Sequence, residues 1–113
     1  MKTLFQKIAD KEIPAQIIFE DDQCFAIRDI HPQAPTHFLV IPRKVIPKLS
    51  MASSEDQALL GHLLYVAAQI AHTEGVSEEG FRVVINNGES AGQTVFHLHI
   101  HVMGGRSFSW PAG

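Results

Sequence analysis

Three histidines, His97, His99 and His101, alternate with Leu98 and Ile100 in the segment Val95-Phe96-His97-Leu98-His99-Ile100-His101-Val102. Side chains on an extended segment repeat with period two. A strand here therefore sets all three imidazoles on one face, successive rings separated by roughly 6.5–7 Å of rise, with Leu98 and Ile100 turned toward a core on the other. An imidazole with its ordinary pKa near ~6.5 is largely neutral and nucleophilic at neutral pH, while a neighbour can still hold a proton. Phosphoryl chemistry asks for an in-line attacker, donors on the non-bridging oxygens and an acid for the leaving group, and a row of imidazoles can supply all three. The polar loop leading into the row, Gly88-Glu89-Ser90-Ala91-Gly92-Gln93-Thr94, adds to this. Its glycines let the backbone approach a ligand, and its N–H groups, the Gln93 amide and the Thr94 hydroxyl can form a phosphate nest. Two other readings of the row stay open. It can line a solvated sheet face, or its rings can converge on one Zn²⁺; against zinc, no nearby carboxylate or cysteine completes an obvious ligand set.

The elements that must carry these residues follow from pattern. Thr3 with Gln6 forms a capping-box signature opening a short helix over Leu4 to Asp10, closed by Pro14. Gln16–Glu20 and Gln23–Arg28 are apolar runs flanking Asp21-Asp22, a hairpin signal, and His37–Ile41 reads as a buried strand stopped at Pro42. One long helix is expected between Glu55 and Glu74, with Ser54 and Gln57 as its capping box and Gly75 at a left-handed C-cap. Its stripe of Leu59, Leu63, Val66 and Ile70, flanked by Leu60, Leu64, Ala67 and Ala71, must pack on something large. Phe81–Ile85 and Val95–Val102 complete the strands. The economical architecture is an α+β antiparallel sheet with its helices on one face.

Composition narrows the partners. A chain of 113 residues with 45% hydrophobic and 19% charged residues suits one compact domain, 1–113. A net charge of −3 offers no basic footprint for a nucleic acid. No apolar run approaches the ~20 residues that span a bilayer, the first residues lack a signal-peptide core, and the single cysteine cannot form an internal disulfide, so a cytoplasmic protein is expected. Taken alone, Asp29 reads as a turn former before Pro32, His37 as a hydrogen-bonded buried histidine, and Cys24 as core packing, with zinc ligation beside His37 as its alternative. His62 and His72 fall in the long helix without an assigned role. Trp110 is too large to leave in water and is expected to dock on a neighbouring surface.

The segment His97-Leu98-His99-Ile100-His101-Val102-Met103 resembles the signature of the histidine triad (HIT) superfamily. The stretches Asp29-Ile30, Pro32–Pro42, Gly104-Gly105-Arg106 and Trp110-Pro111 resemble its Hint branch, the histidine triad nucleotide-binding proteins, over essentially the whole chain. That resemblance implies a HIT-like fold: an antiparallel five-stranded sheet, one long and one short N-terminal helix, and a sheet continued across a homodimer. It implies metal-free hydrolysis of the P–N bond in purine nucleoside 5′-phosphoramidates, with AMP, GMP and their derivatives as ligands. His99 would be the nucleophile, His101 would bond the phosphate or leaving group, and His97 and His37 would support them. Asp29 would hold the ribose and Ile30 the base, while Asn86, Gly92, Gln93 and Thr94 would face the phosphate. Trp110, in a tail of about residues 104–113, would lie near the partner's site. His31, Thr94 and Ala112 depart from the serine, serine and proline usual at these positions. A non-catalytic nucleotide-binding or interaction module remains the alternative.

Overall fold

The computed structural model describes residues 1–113. Thr3 opens helix α1 (Leu4–Ala9) with the expected capping box: its hydroxyl accepts the Gln6 N–H at 3.1 Å while the Gln6 side chain accepts the Thr3 N–H at 2.8 Å. Strands β1 (Ile17–Glu20) and β2 (Cys24–Arg28) form the antiparallel hairpin, and Asp21 holds its turn by accepting the backbone N–H groups of Gln23 and Cys24. Strand β3 (Thr36–Pro42), helix α2 (Gln57–Thr73), β4 (Phe81–Val84) and β5 (Ile100–Gly104) follow. The five strands lie in the order β1-β2-β3-β5-β4 with every neighbouring pair antiparallel. This is the expected α+β HIT-like fold.

Three details differ from expectation. The capping box before α2 is Ser53 with Asp56, one residue earlier than the Ser54–Gln57 pair, because a short 3-10 turn over Ser54–Asp56 precedes the helix. The helices lie on opposite faces of the sheet. Cys24, Ala26, Phe38, Val40, Ile100 and Val102 pack toward α2 residues Leu63, Val66, Ala67, Ile70 and Ala71, whereas Phe25, Ile27, Leu39 and Ile41 pack with Phe5 and Ile8 of α1. A strand buried on both faces shows a continuous apolar run, which is what Cys24–Ile27 and Phe38–Ile41 are. The third difference concerns the histidine strand, which starts at Ile100 rather than Val95.

Helix α2 ends as its sequence requires. Gly75 takes φ +78°, its N–H bonds the His72 carbonyl, and the Val76 N–H reaches back to Ala71, so two terminal carbonyls are satisfied. The chain then returns so closely that a Cβ on Gly104 would lie 2.8 Å from Val76 Cβ, so the end of β5 and the segment after α2 meet at a position only glycine fits.

Candidate active site

The β3–β5 ladder stops at the Val40–Ile100 pair, and Pro42, which ends β3, has no N–H to extend it. Beyond that point the ladder is replaced by other bonds. His97 Nε2 donates to the Pro42 carbonyl at 2.7 Å, and the Leu98 N–H bonds the Ile46 carbonyl at 2.7 Å. Residues 97–99 are thus not β-paired, yet the alternation persists: Leu98 and Ile100 enter the α2-side core while the three imidazoles stay together on the α1 side. Phe5 of α1 is wedged edge-on between two of them, 5.7 Å from the His97 ring and 5.0 Å from that of His99. The His101 ring lies 5.2 Å from His99 on one side and 5.2 Å from His37 on the other.

Partner chemistry fixes each tautomer. His97 is fully buried; its Nε2–H goes to a carbonyl, so Nδ1 is the acceptor of the Thr3 hydroxyl at 2.7 Å. His99 Nδ1 lies 2.7 Å from the His97 carbonyl and must donate, which leaves the Nε2 lone pair bare. His37 Nδ1 accepts the Gln33 N–H at 3.0 Å, so its Nε2–H donates to His101 Nδ1 at 3.0 Å, and His101 carries its proton on Nε2. No buried side-chain nitrogen or oxygen lacks a partner. The unpartnered Nε2 atoms of His99 and His101 are therefore the ring atoms open to solvent: one lone pair and one N–H, side by side.

Burial lowers the pKa of all four histidines. His101 is lowered furthest, to about 4, first by desolvation and then by the neighbouring His99 and His37 rings. The sequence expectation of a neutral nucleophile beside a protonated neighbour changes accordingly: the rings rest neutral, and the row offers a neutral N–H rather than an imidazolium as its donor. Asp29 lies 3.4 Å from His37 Nε2 and 3.9 Å from His101 Nδ1, a charge that opposes the lowering in both.

Asp29 also accepts the His31 N–H through Oδ1, the Asx-turn role its sequence position suggested. Beside it, Phe5, Ile8, Ile13, Ile27, Leu39 and Ile30 line an apolar cavity of about 170 Å³. Ile30 is 85% exposed at its rim. The Gly88–Thr94 loop carries a short 3-10 turn over Glu89–Ala91, with Gly92 at φ +95°. Gln93 differs from the expected phosphate contact. Its side chain is buried, with Oε1 accepting the Gly88 N–H and Nε2 donating to the Pro47 and Val95 carbonyls, so the amide braces the loop from within. Thr94 and Gly92 are exposed, and Asn86 is half-buried at the end of β4. Trp110 is 84% exposed, and Cys24 is grouped with Asp21 and His62 rather than with His37. Sequence reading missed Thr3 and Phe5, whose contacts with the triad span more than 90 residues of chain; the adjacency of a capping box to an apolar helix face carried no hint of them.

Residues 10–108 match the model of the HIT domain, and the chain belongs to the HIT family. It is 58% identical over 111 residues to a HIT-like protein of Synechocystis sp., covering 98% of this chain and 96% of that one. A 14 kDa zinc-binding protein of Zea mays is 49% identical over 113 residues, covering 98% and 88% of the two chains. Among solved structures, a HIT family hydrolase from Legionella pneumophila superposes with a TM-score of 0.97 at 47% identity, covering 99% of this chain and all of that one.

Proposed function

We propose that this protein, acting as one HIT domain, hydrolyses the P–N bond of purine nucleoside 5′-phosphoramidates through a nucleotidyl-histidine intermediate. The observation that carries the reading is the tautomer chain, which ends in a bare lone pair on His99 Nε2 beside an N–H on His101 Nε2. In the first step the lone pair attacks phosphorus in line and the P–N bond breaks, its electron pair leaving with the nitrogen. That nitrogen departs as the amine after taking up a proton, for which the His101 Nε2–H is the nearest donor, itself restored from solvent. In the second step water attacks phosphorus and gives up a proton to solvent, the bond to His99 Nε2 breaks with its electron pair returning to the ring, and the nucleoside monophosphate is released.

His37 orients His101, and His97 orients His99 through its carbonyl. The apolar cavity beside Asp29 suits a planar base, with the carboxylate near the ribose hydroxyls and Ile30 at the rim. Backbone groups at Gly92, the Thr94 hydroxyl and Asn86 serve the phosphate side. The hydrolase name of the Legionella relative agrees with this reading. Mixing the protein briefly with a slowly hydrolysed AMP phosphoramidate, then quenching, should give one AMP adduct on the peptide containing His97–His101. His99→Ala should lose the adduct and lower turnover by at least 10³-fold, on the order expected for removal of a nucleophile. Full turnover by that variant would overturn the proposal; nucleotide binding with no amine release would favour a non-catalytic module.

A further inference from the structure

The side chains of Asp21, Cys24 and His62 come together away from the histidine row, each offering one donor atom within 4.8 Å of the other two. They come from three places: the turn after β1, the first residue of β2 and the second turn of α2. Cys24 and α2 belong to the core on the sheet face opposite the triad, so the cluster shares no group with the candidate active site.

We infer that these three residues form a binding site for one borderline divalent cation of the Zn²⁺ class. A thiolate, an imidazole and a carboxylate together suit Zn²⁺ or Co²⁺, whereas Mg²⁺ and Ca²⁺ take oxygen donors. Around a tetrahedral ion with ordinary bond lengths, such donors lie about 3.3–3.6 Å apart. His62 Nε2 and Asp21 Oδ2 stand at 2.6 Å, so this pair needs to part by less than an ångström while the sulfur closes in by side-chain rotation. The carboxylate is already oriented for this. Asp21 Oδ1 is held by two backbone N–H groups at 2.7 and 2.8 Å, and Oδ2 faces His62. Cys24 is fully buried at the floor, while the His62 and Asp21 side chains are each about a quarter exposed, so an ion enters from their side.

Binding sends the thiol proton to solvent and turns His62 Nε2 from donor to ligand, its proton passing to Nδ1. No electrons are transferred, and water fills the fourth position. The bound ion ties the β1–β2 turn to α2.

Because Cys24 is the only cysteine in the chain, a sulfur-to-cobalt charge-transfer band can arise only there. Titrating chelator-stripped protein with Co²⁺ should raise that near-ultraviolet band to saturation at one equivalent, and Zn²⁺ should abolish it by displacement. Cys24→Ser should erase the band. His62→Gln, a surface-accessible change that leaves the core intact, should weaken Co²⁺ binding at least tenfold, with circular dichroism confirming the fold. Absence of the band in excess Co²⁺, cobalt absorption without thiolate character, or unchanged affinity in His62→Gln would each overturn the inference. Cobalt held by Asp29, His37 and His101, the other three-donor group, gives the second of these results.

Discussion

The two nitrogens of His99 do different work, and their difference rests on a single backbone carbonyl. With Nδ1 committed to the His97 carbonyl, the proposed nucleophile needs no base; what would silence it is protonation of Nε2. Burial holds the pKa of His99 below the ordinary imidazole value, and that of His101 at about 4. The rate constant kcat/KM should therefore stay level from neutral pH down through about 6.5 and fall only at more acid pH. A pH–rate profile with an acid limb centred at or above 6.5 would contradict this. The same shifts link to stability. The unfolded chain protonates these histidines below pH 6.5 while the folded chain resists, so the unfolded state binds more protons and stability declines as pH falls from 6.5 toward 4. For His101 alone the loss is on the order of 3 kcal/mol, readable as a declining urea midpoint. At this scale the sequence made the row of imidazoles legible, because a period of two survives even where strand pairing stops. It could not reveal that all four rings rest neutral, since desolvation depends on Phe5 and the sheet around them. Nor could it show that Gln93 faces inward, because its acceptors, the Pro47 and Val95 carbonyls, are defined only once the loop has closed.

Helix α1 is only six residues long, too short to be stable by itself, and its order comes from the capping box and from burying Phe5 and Ile8. Its N-cap does two jobs with one hydroxyl: Thr3 Oγ1 accepts from the Gln6 N–H and donates to His97 Nδ1. Thr3→Val removes both bonds while keeping the shape, leaving a buried ring nitrogen unpaired at about 1–3 kcal/mol. We expect a loss of thermal stability together with a roughly tenfold drop in kcat/KM at neutral pH, both largely restored in Thr3→Ser. A Thr3→Val protein with unaltered kinetics would show that α1 merely packs against the triad. The helix itself was legible from Thr3 and Gln6, but its face was not. The four-residue apolar runs in β2 and β3 were the available sign that the sheet is covered on both sides. The late start of β5 left no sign, since it follows from Pro42 on a different strand.

Over the whole molecule, β1 and β4 are the edges of the sheet, and β4 presents a half-open Val83 with Leu64 and Tyr65 exposed on α2. An edge strand that presents an exposed apolar side chain invites another strand. On this ground we propose the homodimer that the family resemblance implies, its sheet continuing across β4. Sedimentation equilibrium should return twice the chain mass, and Val83→Lys, which places a charge on the exposed β4 edge, should shift the distribution toward single chains. A single-chain mass for the unaltered protein at micromolar concentration would refute the assembly.

The Thr3 hydroxyl bond also bears on how the protein is handled in the laboratory. Whatever is joined ahead of Thr3 connects directly to the α1 cap, whose hydroxyl bonds the buried His97 ring. A leader that tugs on the α1 cap would depress measured turnover without touching a catalytic atom, and comparisons between preparations should use material from which such an extension has been cleaved.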